Sequence, residues 1–105
     1  MQEAYVIGNI TVKDKVKWAE YRSKVLETIS PWGGEITFRG QKLKTLSGEC
    51  KHSDNVIIRF PNHQALDNWF LSDAYQALIP IRELAADIVT TSMIYFFLVF
   101  NQPKL

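Results

Sequence analysis

The sequence predicts an α+β fold of order β-α-β-β-α-β, a four-stranded antiparallel sheet with its helices on one face. Three observations predict it. Stretches patterned as strands occur four times, and stretches with three- and four-residue apolar spacing lie between the first and second and between the third and fourth. Proline, glycine and Asn, Asp or Ser residues suited to capping stand at the boundaries. The chain has 105 residues, room for one domain of the usual ~100–150 residues.

Residues 4–12 alternate Ala4, Val6, Gly8, Ile10 and Val12 against Tyr5, Ile7, Asn9 and Thr11, the period-two pattern of a strand. Asp14 is placed to cap a helix, and Trp18, Tyr21, Arg22, Val25, Leu26 and Ile29 form one stripe along it. Pro31, Trp32, Gly33 and Gly34 end that helix, because proline cannot donate to a continuing turn and glycine tolerates the left-handed exit. Residues 35–39 alternate again, with Ile36 and Phe38 on one side and Glu35, Thr37 and Arg39 on the other. Gly40 and Gln41 predict a bend or bulge, after which residues 42–46 continue extended. Residues 47–55 are polar and loop-like, and residues 56–60 form the third strand, closed by Pro61. Asn62 caps a second helix carrying Ala65, Leu66, Trp69 and Phe70. Ser72 and Asp73 start a short segment through Tyr75, Leu78 and Ile79, and Pro80 interrupts it or opens a turn with Arg82 and Leu84. Residues 89–100 form the last and most apolar strand. This order is the split βαβ, or ferredoxin-like, arrangement, which hosts many functions and names none.

Composition narrows the partners. Hydrophobic residues make up 47% of the chain and charged residues 22%, too apolar for a disordered chain. Twelve Lys and Arg against 11 Asp and Glu leave a formal charge of +1, without the basic bias that phosphate neutralisation needs, so no nucleic-acid partner is expected. The longest apolar run, residues 93–100, has 8 residues, short of the ~20 that span a bilayer, so no membrane partner is expected either. The N-terminus lacks the pattern of a signal peptide, and the lone cysteine, Cys50, suits a reducing compartment. A cytoplasmic protein is expected.

The uncovered face of the sheet points to self-association. In the last strand, Ile94, Phe96, Leu98 and Phe100 on one side and Met93, Tyr95, Phe97 and Val99 on the other are all apolar. A sheet with one wet face alternates instead. The usual order for this topology also puts the last strand at an edge, where a bare apolar ladder invites aggregation. A second copy packed on that face resolves both problems, and the five residues 101–105 are too few to cover a sheet. Tyr5, Ile7, Asn9, Thr11, Thr37, Arg39, Ile57 and Arg59 are assigned to the same face. Its arginines fit either a small-molecule hollow or ion pairs with Glu35 or Glu49.

The ordered set Tyr21-Arg22, Pro31-x-Gly33-Gly34, Arg39-Gly40, Phe60-Pro61, Ala65-x-x-x-Trp69, Ser72-x-x-Tyr75 and Pro80-x-Arg82 resembles the bacterial family known as domain of unknown function 1330, over residues 5–99. The resemblance implies a branch of the dimeric α/β-barrel superfamily, whose relatives include cofactor-independent monooxygenases of the antibiotic-biosynthesis type, muconolactone isomerases, haem-degrading enzymes and chlorite dismutases. It implies a homodimer and no particular reaction. Asn9 departs from the pattern by following the strand's glycine where an acidic residue is expected in many relatives, and the closing strand is more aromatic than usual.

Few residues carry a chemical signature. Cys50-x-His52 offers two ligands without a second pair at metal spacing, so both are read as surface loop residues and no metal is expected. Cys50 has only Lys51 and His52 nearby to activate it. His63 follows the Asn62 cap, where the helix N-terminus lowers proton affinity and suits a neutral base, but it reads more simply as an exposed first-turn residue. Gly33-Gly34 has neither a P-loop nor a dinucleotide spacing, and no cofactor is expected. Arg39, Arg82, Tyr75 and Trp69 form the candidate ligand site, two cations for a carboxylate or enolate beside rings for an apolar body. The competing reading is an Arg–Tyr network, with Tyr21, that locks helices to sheet, and Ser72 reads most simply as a cap.

Three functions stay open. One is a homodimer binding a small anionic or aromatic metabolite in a cleft between helices and sheet. The second is a cofactor-independent oxygenase or isomerase in which Arg39 stabilises an enolate and Asn9, Tyr75 or His63 orients or moves a proton. The third is a non-catalytic self-association or docking module.

Overall fold

The computed structural model describes residues 2–95. Strand β1 (Ala4–Val12) leads into helix α1 (Lys15–Ile29), whose first turn is capped by the Asp14 carboxylate accepting from the Val16 and Lys17 N–H groups at 3.1 Å. The exit is a 3₁₀ turn (Ser30–Trp32) closed by Gly33 at φ 75°, a left-handed conformation that glycine adopts without steric cost. Strands β2 (Glu35–Gln41) and β3 (Asp54–Phe60) follow. Then come α2 (His63–Leu71), α3 (Asp73–Gln76), α4 (Ile79–Ala85) and β4 (Ala86–Ile94). Asn62 Oδ1 caps α2 at the Ala65 N–H, Ser72 Oγ caps α3 at the Tyr75 N–H, and Pro80 sits in the first turn of α4. Each of these stops is where local hydrogen bonding predicts it.

The sheet order is β2-β3-β1-β4 with every neighbouring pair antiparallel, which makes this a ferredoxin-like fold and leaves β4 at an edge. Ala4, Val6 and Ile10 of β1 face the helices together with Ile58 and Phe60 of β3, and Tyr21, Val25, Ile29, Leu66, Trp69 and Tyr75 close over them. Leu26, expected in the buried stripe of α1, is exposed, and Thr28 takes the inward position instead. Thr28 can be buried because its hydroxyl donates to the Val25 carbonyl at 2.6 Å and accepts from Trp69 Nε1 at 3.0 Å.

Strand β2 departs from simple alternation. A bulge lies between Ile36, which pairs with Ile58, and Phe38, which pairs with Ile57. The extra residue reverses the facing of everything after it. Phe38 therefore stands on the open face with its ring against Gly40, and Arg39, paired with Val56, turns to the helix side. The strand ends at Gln41 rather than running on through residues 42–46, while β3 begins at Asp54 and β4 at Ala86, both earlier than the sequence predicts.

The face away from the helices carries Tyr5, Ile7 and Asn9 of β1, Asn55, Ile57 and Arg59 of β3, Phe38 of β2, and Val89 and Met93 of β4. No described element covers it, and Val89, Met93, Phe38 and Tyr95 remain about half exposed. The apolar positions expected at Phe96, Phe97, Leu98, Val99 and Phe100, and the tail 101–105, lie outside the described residues. Among the described residues no helix is long and apolar enough to cross a membrane.

Candidate functional site

Because α1 packs chiefly along α4, the helix side of the sheet is unevenly filled. Between α1 and the β2–β3 half lies a cleft of about 410 Å³, within the range of small-molecule sites. Ile10, Ile36, Val56, Ile58 and Ile88 form its apolar floor, and Trp18, Tyr21 and Val25 form its roof. The Trp18 and Tyr21 rings stack with centroids 5.3 Å apart. Arg22 of α1, Arg39 and Gln41 of β2 and Asp54 of β3 supply its polar groups. The bulge in β2 is what brings Arg39 here, by turning it off the open face on which simple alternation places it.

Burial and then the like charge of Arg22 pull the Arg39 guanidinium below its ordinary pKa, though a guanidinium stays charged at any neutral pH. Neither arginine makes an ion pair or side-chain hydrogen bond with another described residue.

The other members of the predicted ligand group stand together beyond the cleft's roof. Tyr75 Oη lies 3.0 Å from Tyr21 Oη and accepts from Arg82 Nη1 at 2.9 Å. Trp69 is only 1% exposed and Tyr75 2%. Their rings lie 4.3 Å apart, with Phe60 against Trp69 at 5.3 Å. Burial works against the charge on Arg82, but the Glu83 carboxylate and the tyrosine hydroxyls more than offset it and raise its pKa. Its Nε is buried without a hydrogen-bond partner among the described residues. Tyr21 is the hinge between the two groups, since its ring lines the cleft and its hydroxyl joins the network. Burial first, and the Tyr75 hydroxyl second, raise its pKa far above the ordinary value.

The remaining candidates are dispersed. Asn9 is on the open face, where its Oδ1 accepts from Asn55 Nδ2 at 3.0 Å. His63 is the exposed first residue of α2, beside a shallow hollow with Ala4 and Ile94. Cys50 is exposed, as a surface loop residue should be, but His52 is not. The His52 ring is buried with Nδ1 3.0 Å from Thr11 Oγ1, because the loop before β3 folds back onto β1 and Ser53 N–H donates to the Ile10 carbonyl. No group of three or more His, Cys, Asp or Glu gathers at metal-binding distance among the described residues. Sequence reasoning placed Arg22 in the α1 stripe without assigning it to the site, and passed over Gln41 and Asp54. A cation inside an apolar stripe, two turns before Ile29, was the available signal for Arg22.

The element order and the antiparallel sheet define a ferredoxin-like architecture. The chain belongs to the family described as domain of unknown function (DUF1330), which matches residues 3–94. No curated protein matches it in sequence. Among solved structures it is similar to RPA0582, a protein of unknown function from Rhodopseudomonas palustris, at 14% identity and TM-score 0.76 over 88% of this chain and 81% of that one. It is similar to SnoaB, a cofactor-independent oxygenase from Streptomyces nogalater, at 10% identity and TM-score 0.64 over 96% of this chain and 100% of that one. A dimeric ferredoxin-like protein of unknown function from Jannaschia sp. CCS1 aligns at 11% identity and TM-score 0.62 over 87% of this chain and 97% of that one. At such identities the likeness is one of fold.

Proposed function

We propose that this chain is one domain of a cytoplasmic homodimer that binds a small anionic or aromatic metabolite in the cleft between α1 and the sheet. One observation carries the binding reading: the bulge in β2 aims Arg39 at an apolar cleft roofed by two stacked rings, where it forms no ion pair with a described residue. A cation beside an apolar hollow is suited to an amphipathic ligand.

The open face supports the dimer. Its polar groups satisfy one another: Arg59 bonds Glu35 and Glu3, Tyr5 donates to Glu3 at 3.0 Å, and Asn55 donates to Asn9. The Arg59 guanidinium and the Tyr5 hydroxyl hold the Glu3 carboxyl below its ordinary pKa. Paired charges and satisfied amides cost far less to bury than bare ones, and between them stand Phe38, Val89 and Met93, each about half exposed. The dimeric ferredoxin-like neighbours point the same way.

Catalysis through an enolate is the second reading, favoured by Arg39 in the cleft. Its proton-transfer group would be Asp54, since Asn9 faces away and Tyr75 is enclosed in the core. Trp69, Tyr75 and Arg82 serve the site by holding Tyr21 in place.

Native mass spectrometry of the purified protein tests the proposal. A dimer is expected that falls apart in Met93→Lys, together with small-molecule binding that is lost when Ile36→Trp fills the cleft. A stable monomer at micromolar concentration, or ligand binding indifferent to Ile36→Trp, overturns the corresponding half.

A further inference from the structure

The chain has four arginines, and the structure divides them into two kinds. Arg59 is neutralised by Glu3 and Glu35, and Arg82 by Glu83 with a tyrosine hydroxyl besides. Arg22 and Arg39 have no carboxylate within ion-pair distance among the described residues, and these two line the same cleft. They come from different elements, α1 and β2, and their like charges repel. Both guanidiniums are exposed and solvated, and with no ion pair formed among the described residues their donors are free to bind one incoming anion together.

Asp54 sets the charge of that anion. It lines the cleft at the same level of the sheet as Gln41, with which it pairs across β3 and β2. Two cations and one carboxylate sum to a single positive charge, so one negative charge on the ligand balances the site and two overshoot it. Floor and roof describe the rest of the ligand: five aliphatic side chains below and the stacked Trp18 and Tyr21 rings above suit a flat apolar body.

We infer that the cleft recognises a monocarboxylate with a flat apolar body, its carboxylate held between Arg22 and Arg39 and its single charge selected by Asp54. The inference rests on the cleft being the ligand site and goes beyond that reading by naming the ligand class and the two residues, Arg22 and Asp54, that determine specificity.

Calorimetric titration of the full chain with three probes that share a naphthyl body tests it: naphthoate, its neutral amide, and naphthyl phosphate at mildly alkaline pH, where a phosphate monoester carries two charges. Naphthoate is expected to bind best. The amide should be about tenfold weaker or more, the loss of one charge-assisted hydrogen bond, and the phosphate weaker than the carboxylate. Arg22→Gln and Arg39→Gln should each weaken naphthoate by a similar factor and leave the amide unchanged. Asp54→Asn should narrow the gap between carboxylate and phosphate. If naphthoate and the amide bind alike and the arginine variants change neither, the inference fails while the cleft reading stands. Phosphate binding tighter than carboxylate in the native protein also overturns it. If none of the three binds, the cleft reading falls and takes the inference with it. The native protein with three probes decides these outcomes even where a variant fails to fold.

Discussion

The two halves of the helix-facing side of the sheet are built from the same kinds of residue to opposite ends. Under α2, α3 and α4, Trp69, Tyr75 and Phe60 are packed ring on ring, and the polar ends of Trp69 and Tyr75 meet partners in Thr28, Tyr21 and Arg82. Under α1, Trp18 and Tyr21 stack over space, and Arg22 and Arg39 form no ion pair with a described residue. One half spends its aromatic rings and its arginine on fixing a structure, and the other leaves them available. An arginine beside aromatics is thus no signature of a site in itself. What distinguishes the halves is whether the guanidinium is already satisfied.

The contrast can be broken or sharpened by substitution. Trp69→Ala strikes the filled half hardest, removing a ring that is only 1% exposed; a loss of about 3–5 kcal/mol is expected in urea unfolding, as for other buried aromatic-to-alanine changes. Tyr75→Phe keeps the ring but deprives Tyr21 and Arg82 of their shared partner, and about 1–3 kcal/mol should be lost. A loss as small as that of a surface substitution would mean the network is not what locks these helices. Alkaline pH tests Tyr21, which joins the halves. Its folded pKa is raised above the unfolded value near 10, so stability is whole below that pH and falls as pH rises above it, because only the unfolded phenol ionises there. A slope approaching about 1.4 kcal/mol per pH unit is expected, and Tyr21→Phe should remove that component. Arg39→Gln has the smallest effect on folding, within about 0.5 kcal/mol, because the side chain is exposed and no described carboxylate loses an ion-pair partner. A loss of several kcal/mol there would show that Arg39 is structural and that the two halves are alike.

The parts legible in the sequence are those settled by near neighbours. Asp14, Asn62 and Ser72 cap their helices because a short polar side chain reaches an N–H two or three residues on, whatever the rest of the chain does. Gly33 stops α1 for an equally local reason. The facing of Arg39 was misread because a bulge is a property of two paired strands, and the alternation of β2 alone, from Glu35 to Arg39, shows no trace of it. His52 was misread for a similar reason. Polar neighbours such as Lys51 and Ser53 make its loop look solvated, but the ring folds onto Thr11, 41 residues away. Of the four residues grouped as a ligand site, Trp69, Tyr75 and Arg82 stand together without Arg39, and only their ring contacts and hydrogen bonds show what joins them.

By itself the sequence determined the order of strands and helices, their caps and stops, and a nearly balanced overall charge. Those follow from periodicity and from hydrogen bonds a few residues long. The tertiary structure alone decided that Arg39 and Arg22 would meet, that Arg82 would not join them, and that the space between α1 and β2 would stay open. Each of these depends on strand register and on which distant side chain arrives to fill a volume or cancel a charge, and no stretch of neighbouring residues contains that information.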